Sequence, residues 1–152
     1  MTRDRKAKIL AVVVLAAAVG VAVMRKTPAR RQEPQDAVYA MLDAARSGDV
    51  KSYLASYTGT MEAALRRTLA ESTNAGFAKY LQDSNAAIKG VAISDPQAVS
   101  DTEVKLRVEY VYQDRNEVQM MYLEKAPGGW KIARADSEER IKTLIPYGTP
   151  VQ

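Results

Sequence analysis

The sequence predicts an α+β domain that follows a membrane-spanning helix. Between residues 34 and 81, apolar residues recur at three- and four-residue intervals, which is typical of amphipathic helices. From about residue 87 onward they recur at every second position, which is typical of half-buried strands. Because the helices precede the strands in the chain, we expect them to pack on one face of a curved, cone-like, four-stranded antiparallel sheet.

The sixteen residues from Ile9 to Met24 are apolar or glycine and carry no charge. As a helix, residues 9–24 would extend about 24 Å, slightly less than the roughly 30 Å of a bilayer's hydrocarbon core. The flanking Lys8, Arg25 and Lys26 can extend toward the headgroups and make up the difference. The run ends in two basic residues rather than in small residues at a cleavage site. This ending favours a retained anchor over a cleaved export signal or a buried core helix.

Residues 1–8 form a short basic tail before this anchor. Four Lys or Arg residues precede the apolar run and four follow it, so the positive-inside rule gives a near tie. A tail this short is typical of a signal-anchor, and we therefore expect a single-pass protein of the cell inner membrane with a periplasmic C-terminal domain. The polar residues 25–33 are expected to be a linker that keeps this domain within a few tens of Å of the bilayer.

Three apolar stripes with helical spacing predict three helices, and a shorter fourth follows the sequence "TNAG". Gly48 and Gly59 are expected to end the first two helices, since glycine accommodates the left-handed conformation that often follows a helix. The stripes are Val38, Met41, Leu42 and Ala45; Val50, Tyr53, Leu54 and Tyr57; Met61, Ala64, Leu65, Thr68 and Leu69; and Phe77, Tyr80 and Leu81.

Four segments predict the strands of the sheet: "AIKGVAIS", "EVKLRVEYVYQ", "VQMMYLEK" and "WKIARADS". The second segment alternates most clearly between apolar and polar residues, and "DRNE" and "APGG" supply turns between the later strands. The residues expected to point toward the helices are Val104, Leu106, Val108, Tyr110 and Tyr112, then Val118, Met120 and Tyr122, then Trp130 and Ile132.

The composition excludes several classes of function. Residues 32–152 hold fourteen Lys and Arg against seventeen Asp and Glu, a charge of −3, which argues against a nucleic-acid-binding face. The chain has no cysteine and no histidine, so thiol chemistry, His-based catalysis and the usual zinc sites are all absent. We predict no metal, no cofactor and no catalytic residue.

Residues 34–140 resemble the nuclear-transport-factor-2-like (cystatin-like) α+β cone family, and most of all its small bacterial membrane-anchored members of unassigned function. The resemblance rests on "DAVYAMLDAARSGDVKSYLASY", "TEVKLRVEYVY" and "EKAPGGWKIARAD", in that order. It implies a cone-shaped sheet with a pocket at its open end and, in many members, dimerisation through the sheet.

The family includes enzymes as well as proteins without activity, so the fold alone does not decide function. Its dehydratases and cyclases use an Asp–His pair, which this chain lacks. Its isomerases use an Asp base with a Tyr and a protonated Asp, and no such motif matches here.

The order of tail, single span and external cone also resembles an inner-membrane scaffold of type IV secretion machines, although only in architecture.

The aromatic residues of the predicted strands are the candidate pocket lining: Tyr110, Tyr112, Tyr122 and Trp130. They could surround an apolar ligand, since aromatic rings with one polar tip suit such sites, or they could simply fill the core between helices and sheet. Asp136, at the end of the last predicted strand, could act as a base if it were desolvated; otherwise it is a strand-end or helix-capping residue.

Residues 141–152 form a C-terminal arm with two prolines and several apolar residues. The arm either folds back over the cone or docks on another subunit, because exposed apolar surface of this extent is unfavourable in water. Its candidate docking residues are Ile141, Leu144, Ile145, Tyr147 and Val151.

These observations favour a membrane-anchored interaction or scaffold protein, an accessory subunit of a larger membrane assembly. Its expected partners are the lipid bilayer and other proteins of the complex or further copies of itself. The alternative is a tethered binding module for a small apolar molecule or lipid, and a His-free isomerase-type enzyme is the third hypothesis.

Overall fold

The computed structural model describes residues 32–142, and the side chains of this part up to Ser137. The expected anchor at residues 9–24, its flanking Lys8, Arg25 and Lys26, and most of the expected linker lie outside the described residues. Within residues 32–142, no helix is long and apolar enough to cross a membrane.

Within residues 32–142, four helices are followed by five strands, so the predicted α+β class is confirmed. The fourth helix is longer than the sequence suggested, and a two-residue strand lies between the first two predicted ones. The elements are α1 (Pro34–Ser47), α2 (Val50–Ala55), α3 (Gly59–Ala70), α4 (Asn74–Ala86), β1 (Gly90–Ile93), β2 (Gln97–Ala98), β3 (Glu103–Val111), β4 (Arg115–Ala126) and β5 (Gly129–Lys142).

Helix α1 begins and ends through interactions that its sequence encodes. Pro34 occupies the first turn, where its missing N–H costs nothing, and the Asp36 carboxylate accepts a hydrogen bond from the Glu33 backbone N–H at 3.0 Å. Gly48 follows the helix with φ of 72°, a left-handed conformation that glycine adopts without strain. The predicted apolar stripe of this helix is buried throughout.

Asp49 caps α2. Its carboxylate accepts hydrogen bonds from the Ser52 hydroxyl at 2.6 Å and from the Ser52 backbone N–H at 3.0 Å. These bonds, the side-chain one first, hold the pKa of Asp49 below its ordinary value of 3.8 because they stabilise the carboxylate. A carboxylate with a lowered pKa stabilises the fold above that ordinary pKa, and the stabilisation is lost as pH falls through the folded-state value.

We therefore expect Asp49→Asn to lose less stability than the parent chain between roughly pH 5 and pH 2, because asparagine still caps the helix but does not titrate. The thermal unfolding midpoint measured against pH checks this. Ser52→Ala should change the profile in the same direction as Asp49→Asn, since it removes the main cause of the lowered pKa. If the unfolding midpoints of all three chains depended on pH in the same way, the Asp49 carboxylate would not contribute the expected pH-dependent stability.

The strands form one antiparallel sheet in the order β1-β3-β4-β5, with β2 also paired to β3. The sheet contains the four predicted strands, and β2 extends its β1 edge. Between β3 and β4 the register runs without interruption, with Leu106 opposite Met121 and Val104 opposite Leu123. Two register shifts interrupt the β4–β5 pairing, and such bulges increase the local twist and bend of a sheet.

The predicted inward face of β3 is confirmed, but that of β4 is wrong. Leu106, Val108 and Tyr110 are buried as expected, whereas the β4 residues of the cluster beneath the helices are Met121 and Leu123, not Met120 and Tyr122. Val118, also predicted to point inward, is buried but pairs with Glu109 on the other face. The reason is the short β3–β4 turn, in which the Tyr112 N–H donates to the Arg115 carbonyl at 2.8 Å. This turn sets a register that places odd-numbered β4 residues opposite even-numbered β3 residues.

Strand β5 is longer than predicted and continues through the expected domain end at residue 140 to Lys142. Ile141, expected to begin the C-terminal arm, pairs with Asn116 in the sheet. Near its start, the outer edge of β5 is covered by the segment after α2. The Thr58 N–H donates to the Ile132 carbonyl at 3.0 Å, and the Ile132 N–H donates to the Ser56 carbonyl at 2.8 Å.

Two apolar clusters hold the layers together. The larger one joins α1 to β3, β4 and β5 and contains fully buried Val38, Leu106, Leu123 and Ile132. The smaller one lies among the helices and consists of Ala45, Val50, Leu54, Phe77 and Leu81. The helices therefore cover one face of the sheet, as the sequence predicted, and α4 is held mainly by the smaller cluster.

Candidate functional site

A cavity of about 310 Å³ lies between the helices and the sheet. We call it the tyrosine cavity, because five tyrosines contribute to its wall: Tyr53, Tyr57, Tyr80, Tyr110 and Tyr112. The rest of the wall is largely apolar, including three methionines at positions 41, 61 and 121, with carboxamides from Asn85 and Gln119. The site thus combines aromatic and thioether surface with a few polar groups.

Each part of the wall follows from a local feature of the sequence. Tyr53 and Tyr57 are four residues apart on α2 and its end, so their side chains lie on one side of that segment. Tyr110 and Tyr112 alternate on the inward face of β3 and its turn. Met121 faces the cavity because the β3–β4 register places it opposite Leu106.

Tyr53 and Tyr57 form a hydroxyl pair within the wall. The Tyr57 hydroxyl donates to the Tyr53 hydroxyl at 3.0 Å, and the two rings lie 5.1 Å apart between centroids. Burial raises the pKa of Tyr57, and burial also raises the pKa of Tyr53 and of Tyr110. All three side chains are therefore neutral phenols at physiological pH, which donate hydrogen bonds rather than act as bases.

Glu117, the charged residue of the cavity wall, is paired with Arg115. The Arg115 Nε donates to the Glu117 carboxylate at 2.8 Å, and the Arg115 guanidinium lies 4.2 Å from the centroid of the Tyr112 ring. Glu117 lines the cavity and its charge is compensated by this contact. Such a lining suits a neutral or apolar occupant better than a small anion.

No group of three or more metal-ligating side chains occurs within residues 32–142. The tyrosine cavity has features of a binding site: apolar area, aromatic faces and neutral hydrogen-bond donors.

The structure brings together two of the four predicted pocket residues. Tyr110 and Tyr112 line the tyrosine cavity. Tyr122 lies on the opposite face of the sheet, where the Arg134 guanidinium stacks 3.7 Å from its ring centroid. Trp130 does pack against the larger cluster, but it lies at the β4–β5 turn, the other end of β4 from Tyr112.

Asp136 does not face the tyrosine cavity. It pairs with Met120 across β4 and β5, on the same outer face as Tyr122, and its carboxylate contacts the Arg134 guanidinium at 3.5 Å with 55% of its side chain exposed. This carboxylate is thus exposed, and the condition under which Asp136 could act as a base is not met. Of the candidate docking residues, Ile141 lies in β5, while Leu144, Ile145, Tyr147 and Val151 lie outside the described residues.

Three tyrosines of the cavity stand out in the sequence only as parts of helical apolar stripes: Tyr53, Tyr57 and Tyr80. The signal that could have identified them is their chemistry, because a helix that only fills a core usually places leucine or isoleucine at such positions. Tyr80 is 65% exposed although it also contributes to the cavity wall, so it stands at the opening rather than in the core.

A second, larger depression of about 670 Å³ adjoins the tyrosine cavity. We call it the charged groove. It is formed by α1, the end of α4 and the start of β1, and it shares Leu42, Asn85 and Ile88 with the cavity wall. Its charged residues are Asp43, Arg46, Asp83 and Lys89.

No protein-family model matches the chain, and no curated protein matches it. A solved structure described as "Structure of Bdellovibrio bacteriovorus Bd1075" aligns with a TM-score of 0.36 and 14% identity over 74% of this chain. The alignment covers 39% of that protein. A likeness at this level carries no argument about fold or function.

Proposed function

We propose that the domain is a binding module for a small apolar molecule, which occupies the tyrosine cavity. The observation that carries this proposal is a concave site of about 310 Å³ whose wall combines aromatic and methionine side chains with a hydrogen-bonded pair of part-buried tyrosine hydroxyls. Ligand sites typically have volumes from roughly 300 to 1,000 Å³ and combine apolar walls with a few orienting polar groups.

We further propose that the module is of the nuclear-transport-factor-2-like type and is held at the periplasmic face of the inner membrane by residues 9–24. The apolar run, its basic flanks and the α+β order support this placement. A tethered module of this kind would meet its ligand at or near the bilayer surface, where apolar molecules concentrate.

An engineered cysteine tests the binding proposal, because the chain has no cysteine of its own. We expect Met61→Cys, which places a thiol in the cavity wall, to react more slowly with iodoacetamide when indole is present. At an indole concentration ten times its Kd, the rate should fall about tenfold, since only the empty fraction reacts. The measurement uses the full chain in lipid nanodiscs.

Met120→Cys is the matched control, because this methionine is also half-buried but lies on the opposite face of the sheet. Indole should leave its alkylation rate unchanged. If indole lowered the alkylation rates of both variants equally, it would be acting on the reagent or the nanodisc rather than in the cavity. No slowing of Met61→Cys across the solubility range of indole would overturn the proposal.

A protein-interaction role is the second candidate, and strand β5 favours it. Among the described residues, the outer edge of this 14-residue strand is bridged only near Ile132, by the segment after α2. Exposed strand edges pair with other chains, and this would suit the accessory or scaffold subunit that the membrane anchor suggests. Purification from mild detergent as a monomer without any other protein would argue against this role.

A further inference from the structure

The tyrosine cavity and the charged groove are neighbours that share one wall. Leu42, Asn85 and Ile88 contribute to both. At this boundary the Asn85 carboxamide donates to the Leu42 carbonyl at 3.4 Å, a long and therefore weak hydrogen bond. A molecule longer than the cavity would thus pass from a wall with one charged side chain, Glu117, to a wall with four charged side chains by crossing these shared residues.

The charged groove offers both signs of charge in equal number. Asp43 and Asp83 supply two carboxylates, and Arg46 and Lys89 supply two cations. Asp43 pairs with Arg46 at 3.3 Å, and Asp83 pairs with Lys79 at 2.6 Å. These four side chains are between 65% and 74% exposed. Exposed pairs of this kind contribute little to stability, so their charges can be turned toward a ligand at small cost.

The shared wall and the mixed charge of the groove together select one class of ligand. A simple anion would meet the two carboxylates of the groove, and a simple cation would meet Arg46 and Lys89. A head that carries both charges can place each near its opposite. The cavity volume of 310 Å³ accommodates an apolar tail of about ten small groups, at about 30 Å³ for each water-sized group.

We infer that the ligand is a single-chain amphiphile with a zwitterionic head, whose tail occupies the tyrosine cavity and whose head lies in the charged groove. This inference rests on the proposed function, because it takes the tyrosine cavity as the tail site. It adds the class of ligand and assigns Arg46 and Lys89 to recognition of the anionic part of the head, with Asp43 and Asp83 facing the cationic part.

The test uses three amphiphiles with the same decyl tail: decylphosphocholine, decyltrimethylammonium and decanoate, each below its critical micelle concentration. Protection of Met61→Cys from iodoacetamide reports occupancy of the cavity by the tail. We expect decylphosphocholine to protect at the lowest concentration. Adding Arg46→Gln and Lys89→Gln to this variant should raise the concentration of decylphosphocholine required by about threefold to tenfold.

Lys51→Gln is the matched control, because this lysine is an exposed residue of α2 that lines neither the charged groove nor the tyrosine cavity. It should leave protection by decylphosphocholine unchanged, and protection by indole should be the same in all these variants. Equal protection by the three amphiphiles, or no effect of the groove substitutions, would overturn the assignment of a zwitterionic head.

The outcomes separate this inference from the proposed function on which it rests. Protection by indole without protection by decylphosphocholine would overturn the amphiphile and leave the binding module intact. Protection by neither compound would overturn both.

Discussion

Replacing Phe77 by alanine is expected to lower the free energy of unfolding by about 3–5 kcal/mol, the typical cost of removing a buried aromatic ring. Phe77 is 4% exposed and lies in the smaller cluster, where α4 packs on the other helices. Its ring also meets that of Tyr53 at 6.3 Å between centroids, in an edge-on arrangement. The substitution therefore removes much of what fixes α4 to the rest of the domain.

Chemical denaturation followed by the fluorescence of Trp130 measures this loss, since it is the chain's single tryptophan and lies away from the substitution. Tyr80→Ala is the matched control: it removes an aromatic ring three residues later on the same helix, but from a side chain that is 65% exposed. It should cost about 1 kcal/mol, mostly through its contact with Phe77. Similar losses in the two variants would contradict the packing of α4 on the other helices through Phe77.

Replacing Met121 by alanine is expected to cost about 2–5 kcal/mol, because it removes a buried side chain from the larger cluster and leaves a void. Met121 is 3% exposed and faces Leu106 across the sheet. The preceding residue provides an internal comparison of the same type. Met120 lies on the other face and is half-buried, so Met120→Ala should cost about 1 kcal/mol or less.

The same denaturation experiment compares these two methionines, and it tests the register of β4 directly. A one-residue slip would exchange the faces of the strand, so that Met120 would face the helices and its substitution would become the costly one. A larger loss for Met120→Ala than for Met121→Ala would therefore show that Met121 does not pair with Leu106 in the folded protein.

The contrast between β3 and β4 shows what the sequence could predict about this fold. In "EVKLRVEYV" polar and apolar residues alternate from Glu103 to Tyr110, so the pattern alone identifies the buried face. In "VQMMYL" apolar residues occupy both faces, and the pattern does not distinguish them. The face of β4 is determined instead by the two-residue turn between Tyr112 and Arg115, whose geometry the spacing of apolar residues does not reveal.

The tyrosine cavity was predictable only in part for a related reason. Tyr110 and Tyr112 belong to the strand whose face was clear, and both reach the cavity. Tyr122 and Trp130 do not, because one follows the face of β4 and the other lies at the far end of the sheet. Tyr53, Tyr57 and Tyr80 come from helices distant in sequence, and only tertiary packing brings them to the strands.

The backbone bridge between Ile132 and the segment Ser56–Thr58 links the two layers in a way that side-chain packing does not. Both hydrogen bonds of this bridge must break before the helices can separate from β5. Their amide protons are therefore expected to exchange with solvent only when helices and sheet open together, as one cooperative unit. A ligand that enters between the layers must then do so through side-chain movement, with the backbone of this junction closed.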